Sequence, residues 1–547
     1  MPNRTKDKGI TKKRAYMLLV LILILGTVLS SLVFKGMSFY GDDFAYAGFM
    51  PNILGNTFKV NADIFSLRLM LLYPMALFVK LFGYTDLGAG FYALISYLVT
   101  IFLVFLLGKE IKSYGAGLLS ALLFAIYPAV IRFNTEPNPM LPMAMFLSLS
   151  ILLFLYARKY GNRWLYVLSG ISTFAGALIN PLAYLYMLFF TAYIAVDFVY
   201  GLLRRGKGKG PHYEYWLYFL GLVTAVIILG FVNLHVAQSS NPFYEFNLTN
   251  SYYSAAGGLD EIYYTNPSLT FYINGYFPYS FSSLGSLYNQ VFNFQQLNLN
   301  DVGFFSYLVV LVGVYLLATR DRRYYFLLGW AAFLVAYMEF GTMSITHYFP
   351  IYKLMRFTVI VAAPLMLILG VGLSDIGDRF FKKKRLLWAA VVAVLVVFLL
   401  VTSVTIDYYD YVLNHNTTMF SKIMASALLN VTDLGSANVY GSALTPYYMI
   451  YYMGFPAMKS FGQYGSGEEF TTFWPTCSSI PNNTYLIIPD AAALDYINSL
   501  NLWNINESWA FNPSECNLTL YDNVYNNSLV AGKYYYLAYS GNIYYKR

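Results

Sequence analysis

At 547 residues the chain has room for more than one domain, yet only 11% of it is charged and 58% is hydrophobic, whereas a soluble domain is roughly one-quarter charged. That balance excludes a soluble globular enzyme and indicates an integral membrane protein. The formal net charge of +8 gives no ground for a nucleic-acid partner, because the basic residues stand in short clusters between apolar runs, as they do in cytoplasmic loops.

In chain order, apolar runs long enough for a hydrocarbon layer of ~30 Å predict eleven membrane helices, over residues 15–34, 91–107, 115–131, 139–156, 164–179, 182–203, 215–236, 304–319, 324–340, 357–373 and 386–404. The first is too long for the apolar part of a signal peptide and no clean small-residue cleavage site follows it, so it reads as a retained span. A further run, "IFSLRLMLLYPMALFVKLF" at 64–82, carries Arg68 and Lys80 near its ends and Pro74 inside it. If this run crossed the membrane, every later loop would change sides and five basic clusters would lie outside. We therefore read it as an interfacial or re-entrant segment broken at Pro74. The N-terminus, "GKEIKS", "ARKYGNR", "RRGKGKG", "TRDRR" and "DRFFKKKR", which together hold most of the 35 Lys and Arg residues, then all face the cytoplasm, as the positive-inside rule requires.

The expected architecture is thus mostly α: a polytopic bundle of about eleven transmembrane helices plus interfacial helices over 1–405, with outer loops at 36–90 and 237–301. The polar tail, 406–547, is expected as an extracytoplasmic α/β domain, because short β-like runs such as "NVYGS", "TYLIIP" and "YYYLAYS" alternate with helix-like ones such as "AAALDYINSL". Asn247 in the long outer loop and Asn416, Asn430, Asn482, Asn506, Asn517 and Asn526 in the tail each head an N-x-[ST] triplet, so all seven glycosylation candidates fall on the predicted outer side. Cys477 and Cys516, the only two cysteines, lie in the same tail, where an outside location would let them pair. The cytoplasmic loops are short and contain no Gly-rich phosphate loop.

Chemistry-bearing residues gather at the outer ends of the spans. Asp42 and Asp43 in "FYGDDFAYAGFM" follow the first span; Glu136, with Arg132 beside it, lies in "RFNTEPNP" between the third and fourth; and "EFGTMSITHYFPIYKLMRF" carries Glu339, His347, Lys353 and Arg356 between the ninth and tenth. Carboxylates able to accept a proton and cations able to hold a phosphate at one interface fit group transfer from a lipid phosphate. The alternatives are that the aspartates cap a helix and that Arg356 and Lys353 snorkel at a span end.

These residues resemble the GT-C superfamily of polyprenyl-phosphate-sugar-dependent glycosyltransferases, especially the protein O-mannosyltransferase and aminoarabinose transferase branch. "GDDFAYAGFM" is similar to its acidic pair in the first outer loop, "IFSLRLMLLYPMALFVKLFG" to the juxtamembrane segment that follows, and "NTEPNP" to its second acidic loop; "HYFPIYKLMRFTVIVAAPLMLILGVGL" resembles, more loosely, its late outer loop. The resemblance implies Asp42 as the base that deprotonates the acceptor, Asp43 as its partner or an orienting group, and Glu136 as a second-loop acid. It implies Arg356, or in its place Lys353 or His347, as the phosphate holder, with Arg68 and Arg132 as further donor-site cations. The Trp-Trp-Asp-Tyr-Gly signature of oligosaccharyltransferases is absent, and "DYYDYVLNH" at 407–415 does not replace it.

The expected function is transfer of a sugar from a dolichyl or undecaprenyl phosphate to a hydroxyl of a protein, glycan or lipid acceptor on the outer face of the cell membrane, inverting at the anomeric carbon. No cofactor is required; the acidic pair could hold a divalent metal. The competing class is a transporter or flippase for an anionic lipid-linked substrate, which would also use outward carboxylates and arginines. An adhesive protein displayed on an anchor would need one span rather than eleven.

Overall fold

The computed structural model describes residues 10–34, 36–37, 43–60, 64–203, 213–235, 239–255, 305–341, 355–415, 438–441, 459–460, 484–489, 519–526 and 539–546. All eleven expected spans are helical. They correspond to α1 (Lys12–Leu32), α5 (Asp86–Ile111), α6 (Tyr114–Ala125) with α7 (Pro128–Phe133), α8 (Met140–Tyr160), α9 (Trp164–Ala177), α10 (Ala183–Leu203), α11 (Trp216–His235), α13 (Phe305–Ala318), α14 (Arg322–Phe340), α15 (Thr358–Phe380) and α16 (Arg385–His415). Shorter helices lie between them: α2 (Asp43–Gly48), α3 (Met50–Leu54), α4 (Leu69–Phe82) and α12 (Tyr244–Ala255). Among the described residues, 7 helices are long and apolar enough to cross a membrane.

The structure corrects two expectations. The run 115–131 is not one helix. Pro128 has no N–H to continue α6, and the residue before it, Tyr127, is extended at φ −74° and ψ 124°, so the chain breaks and restarts with the proline in the first turn of α7. The interfacial segment is not broken at Pro74, which lies inside α4; the break falls at Arg68, where a 3₁₀ turn (Ile64–Leu67) gives way to the α-helix. Pro74 cannot donate to the Met70 carbonyl, and the Tyr92 hydroxyl of α5 donates to that oxygen instead, at 3.2 Å. At 14 residues, α4 is about 21 Å long, the same length as α9 and α13, so length alone does not set it apart from the spans.

Lipid offers no hydrophobic force between helices, so close approach and buried polar contacts hold the bundle. A Cβ on Gly170 of α9 would lie 2.1 Å from the Tyr218 carbonyl of α11, and one on Gly221 would lie 2.1 Å from the Val167 carbonyl in return. Beside this glycine contact the Ser150 hydroxyl meets Ser169 at 3.0 Å and Thr173 at 2.6 Å, and the Tyr218 hydroxyl donates to Thr173 at 3.2 Å. Helix α15 forms the centre: its residues from Thr358 to Leu373 are all buried, packed by α5, α6, α8, α13 and α14. By contrast, Leu32, Ile227, Leu386 and Val394 on α1, α11 and α16 are exposed, as lipid-facing side chains are.

One end of the bundle collects the basic loops. Buried Asp375 of α15 is held there by the Lys112 ammonium at 2.9 Å, the Arg379 guanidinium at 2.7 Å, and the hydroxyls of Tyr315 and Tyr324 at 2.8 and 3.0 Å. Lys159 pairs with Glu110 at 2.5 Å, and Arg158 with Asp197 at 3.3 Å. Asp321 caps α14, and its bond with the Arg323 side chain holds its carboxyl below the usual range.

In the tail, five strands form one mixed sheet in the order β2-β1-β3-β5-β4: β1 (Asn438–Gly441), β2 (Lys459–Ser460), β3 (Thr484–Pro489), β4 (Thr519–Asn526) and β5 (Tyr539–Lys546). β1 runs parallel to β2 and β3, while β5 runs antiparallel to β3 and β4. The expected strand runs "NVYGS" and "TYLIIP" are β1 and β3. The helix-like run "AAALDYINSL" lies outside the described residues, as do Cys477 and Cys516.

Candidate functional site

The opposite end of the bundle gathers the acidic loops. Asn134 donates to Ser30 of α1 at 2.9 Å, Met37 donates its backbone N–H to Asp86 at 3.4 Å, and the Thr135 carbonyl lies so close to α5 that a Cβ on Gly90 would be 2.0 Å from it. These contacts fix the 134–138 turn beside the chain that leaves α1 for α2. Within the turn, Asn138 donates its N–H to the Glu136 carbonyl at 2.7 Å, and its side-chain oxygen accepts from Met140 at 2.9 Å to start α8. Glu136 is buried there.

Asp43 opens α2, where a carboxylate suits the positive end of the helix, and it is 3% exposed. Three residues on, Tyr46 is fully buried and packs edge-to-face on Phe65, ring centres 5.6 Å apart. The guanidinium of Arg68, also buried, lies 5.1 Å from the Tyr46 ring centre and 5.3 Å from that of Phe65. Arg68 lines a small cleft together with Leu67, Ala177, Pro181, Tyr184 and Thr249. Helix α12 walls this cleft through Thr249, and its Phe246 ring lies 6.0 Å from that of Tyr184.

A second neighbourhood forms around α7, which carries Arg132. The 355–357 turn with Arg356 and the last helix, α16, both pack on α7. α16 continues past the expected end of its span to His415 and thereby carries Asp407, which is fully buried. Glu339, near the end of α14, is buried as well.

With this arrangement in hand, the chain can be compared with known proteins. Residues 68–229 match the family described as dolichyl-phosphate-mannose-protein mannosyltransferase. Among solved structures the chain is similar to ArnT from Cupriavidus metallidurans in the apo state, at a TM-score of 0.58 and 13% identity over 97% of this chain and 98% of that one. It is also similar to ArnT from the same organism bound to undecaprenyl phosphate, at 0.56 and 14% over 89% and 95%. The archaeal oligosaccharyltransferase AglB from Archaeoglobus fulgidus, in complex with an inhibitory peptide and a dolichol-phosphate, follows at 0.53 and 13% over 82% and 65%. The chain has the GT-C fold. No curated protein sequence matches it.

On this GT-C fold the sequence-derived residues fall as follows. Asp43, Arg68, Arg132, Glu136 and Arg356 all stand at the acidic-loop end. Asp43 and Arg68 share one neighbourhood through α2 and the 64–67 turn, which touch; Arg132 and Arg356 share the other. Asp42, His347, Lys353 and the candidates Asn416, Asn430, Asn482, Asn506 and Asn517 lie outside the described residues. Asn247 is an exposed residue of α12, and Asn526 ends β4. Among the described residues no group of three or more His, Cys, Asp or Glu side chains is placed to hold a metal ion.

Two buried residues escaped the sequence reading. Tyr46 was signalled by its spacing, since 43 and 46 share a helical face. Asp407 was signalled only by a carboxylate just beyond an apolar run, a pattern that exposed span ends also show.

Proposed function

We propose that the chain moves a sugar from a polyprenyl phosphate, dolichyl or undecaprenyl, to an acceptor hydroxyl at the outer face of the membrane. The observation that carries this reading is that a buried carboxylate, Asp43 on α2, and a buried guanidinium, Arg68, which follows the 64–67 turn that α2 touches, stand in one neighbourhood of a GT-C bundle, with Arg68 lining a cleft. Buried ionisable groups in a membrane bundle are costly to keep, and they mark sites of chemistry or transport. ArnT bound to undecaprenyl phosphate and AglB in complex with dolichol-phosphate, which share the fold, support a lipid-phosphate donor.

In the proposed reaction the acceptor hydroxyl gives its proton to the Asp42 carboxylate while its oxygen forms a bond to the anomeric carbon. The bond from that carbon to the phosphate oxygen breaks, and the polyprenyl phosphate leaves with the electron pair. A single displacement of this kind inverts the anomeric centre. Charge grows on the leaving phosphate, so cations fixed near it lower the barrier selectively; Arg68, which lines the cleft, is proposed for this role, with Arg132 and Arg356 of the second neighbourhood as further candidates. Asp43 orients its neighbour, and Glu136 borders the site from the second loop.

The test is transfer of labelled sugar from synthetic polyprenyl-phosphate sugars by the purified full chain, with Asp42→Asn as the critical variant. Asparagine retains a capping oxygen but cannot act as a base, so transfer is expected to fall at least about 10²-fold with thermal stability unchanged. Full activity in Asp42→Asn would make the pair architectural and move the base to Glu136.

A further inference from the structure

The proposed reaction uses Arg68 but leaves Tyr46 without a part, although it is a large polar side chain wholly buried at this end. Its hydroxyl has no hydrogen-bond partner among the described residues, so hydrogen bonding does not account for a tyrosine there. The ring accounts for it better. With Phe65 it brackets the Arg68 guanidinium at 5.1 and 5.3 Å, within the ~6 Å reach of a cation–π contact. The two rings are themselves nearly perpendicular, at 78°, so they meet the cation from different directions. An arginine is rich in rotamers, and ordering it only when a ligand arrives would weaken binding. A bracket formed before the ligand arrives removes that cost. Asp43 stands three residues before Tyr46 on the same short helix, so whatever fixes α2 fixes the carboxylate and the bracket together.

We propose that Tyr46 is a positioning residue for an anion-binding Arg68: the Tyr46 and Phe65 rings hold the guanidinium at the cleft, ready for the phosphate of a lipid-linked donor. The inference rests on the function proposed above and adds to it the residues that set donor affinity.

The experiment measures binding of undecaprenyl phosphate to the full chain in detergent, with the uncharged polyprenol as control, for Tyr46→Leu, Tyr46→Phe, Phe65→Leu and Arg68→Ala, each checked for thermal stability. Tyr46→Leu is expected to weaken phosphate-lipid binding roughly tenfold, the scale of a desolvated cation–π contact, and to leave polyprenol binding as it is. Tyr46→Phe keeps the ring and should stay within about twofold. Half-buried Phe65 tolerates change more readily than Tyr46, so Phe65→Leu provides the same reading should Tyr46→Leu unfold. In an Arg68→Ala background neither leucine variant should weaken binding further, because a residue that acts through Arg68 has nothing left to position. Equal losses with and without Arg68, or wild-type affinity in both leucine variants, would overturn the bracket while leaving the donor proposal in place. A wild-type chain that binds the phosphate lipid no better than polyprenol would overturn the donor proposal and the bracket with it.

Discussion

Tyr92 shows how one side chain can permit another. The Met70 carbonyl would accept the N–H of residue 74 in an unbroken helix; proline has none, and the Tyr92 hydroxyl takes that place at 3.2 Å. Tyr92→Phe keeps the ring beside its aromatic neighbour Phe78 and removes only the donor, so it should cost about 1 kcal/mol, read as a lower midpoint of thermal unfolding in detergent. An unchanged midpoint would mean that the Met70 carbonyl is satisfied in another way. The sequence could not show this pairing: Pro74 announces a missing donor, but a replacement 18 positions away is set by the packing of α4 on α5. The same holds for Asp43. Its place beside Asp42 was plain from the sequence, whereas its burial follows from α2 folding against the 64–67 turn.

At the level of helices, the reading from hydropathy was sound where length and apolarity decide and weak where a single backbone property does. Eleven apolar runs became helices because a backbone in lipid must satisfy its own hydrogen bonds. The restart at Pro128 was written in the sequence as a proline, but hydropathy averages over it. Glycines carry close backbone contacts between helices, and their spacing alone does not say which partner they meet. The α9–α11 contact is the clearest case, with Gly170 and Gly221 each facing the other helix's backbone. Gly221→Leu has nowhere to place its side chain, since even a Cβ would sit 2.1 Å from the Val167 carbonyl. The helices would have to part and pull Tyr218 from Thr173. We expect a loss of about 1–3 kcal/mol or more, seen as lower yield of monodisperse protein and a lower unfolding midpoint. A fully stable Gly221→Leu variant would show that this contact is not part of the folded bundle.

For the molecule as a whole, the division of charge between the two ends sets the orientation. The basic loops were legible as clusters in the sequence, and the structure collects Lys112, Arg158, Lys159, Arg323 and Arg379 at one end while Asp43, Glu136, Glu339 and Asp407 stand at the other. What the sequence did not reveal is that the basic end is also where helices are tied together: Asp375 binds the α5–α6 turn, α13 and α14 to the central helix through Lys112, Tyr315 and Tyr324. A carboxylate inside a basic cluster looks like an ordinary loop charge until burial is known. Because cytoplasmic ends of membrane helices carry the excess of Lys and Arg, this end should face the cytoplasm, and the acidic end, with the cleft and α12, should face out. The two orientations give opposite results with a membrane-impermeant thiol reagent in intact cells. Single cysteines placed in a Cys477→Ser, Cys516→Ser background serve as reporters, one at exposed Arg163 between α8 and α9, the other at exposed Asn247 on α12. Asn247→Cys should label from outside without permeabilisation, and Arg163→Cys only after the membrane is opened. The reverse pattern would turn the bundle over and place the proposed transfer on the cytoplasmic side. Labelling of both positions from outside would mean that an odd number of crossings does not separate them. The helices α9, α10 and α11 that lie between the two reporters permit that only if one of them, read here as a span, lies in the interface.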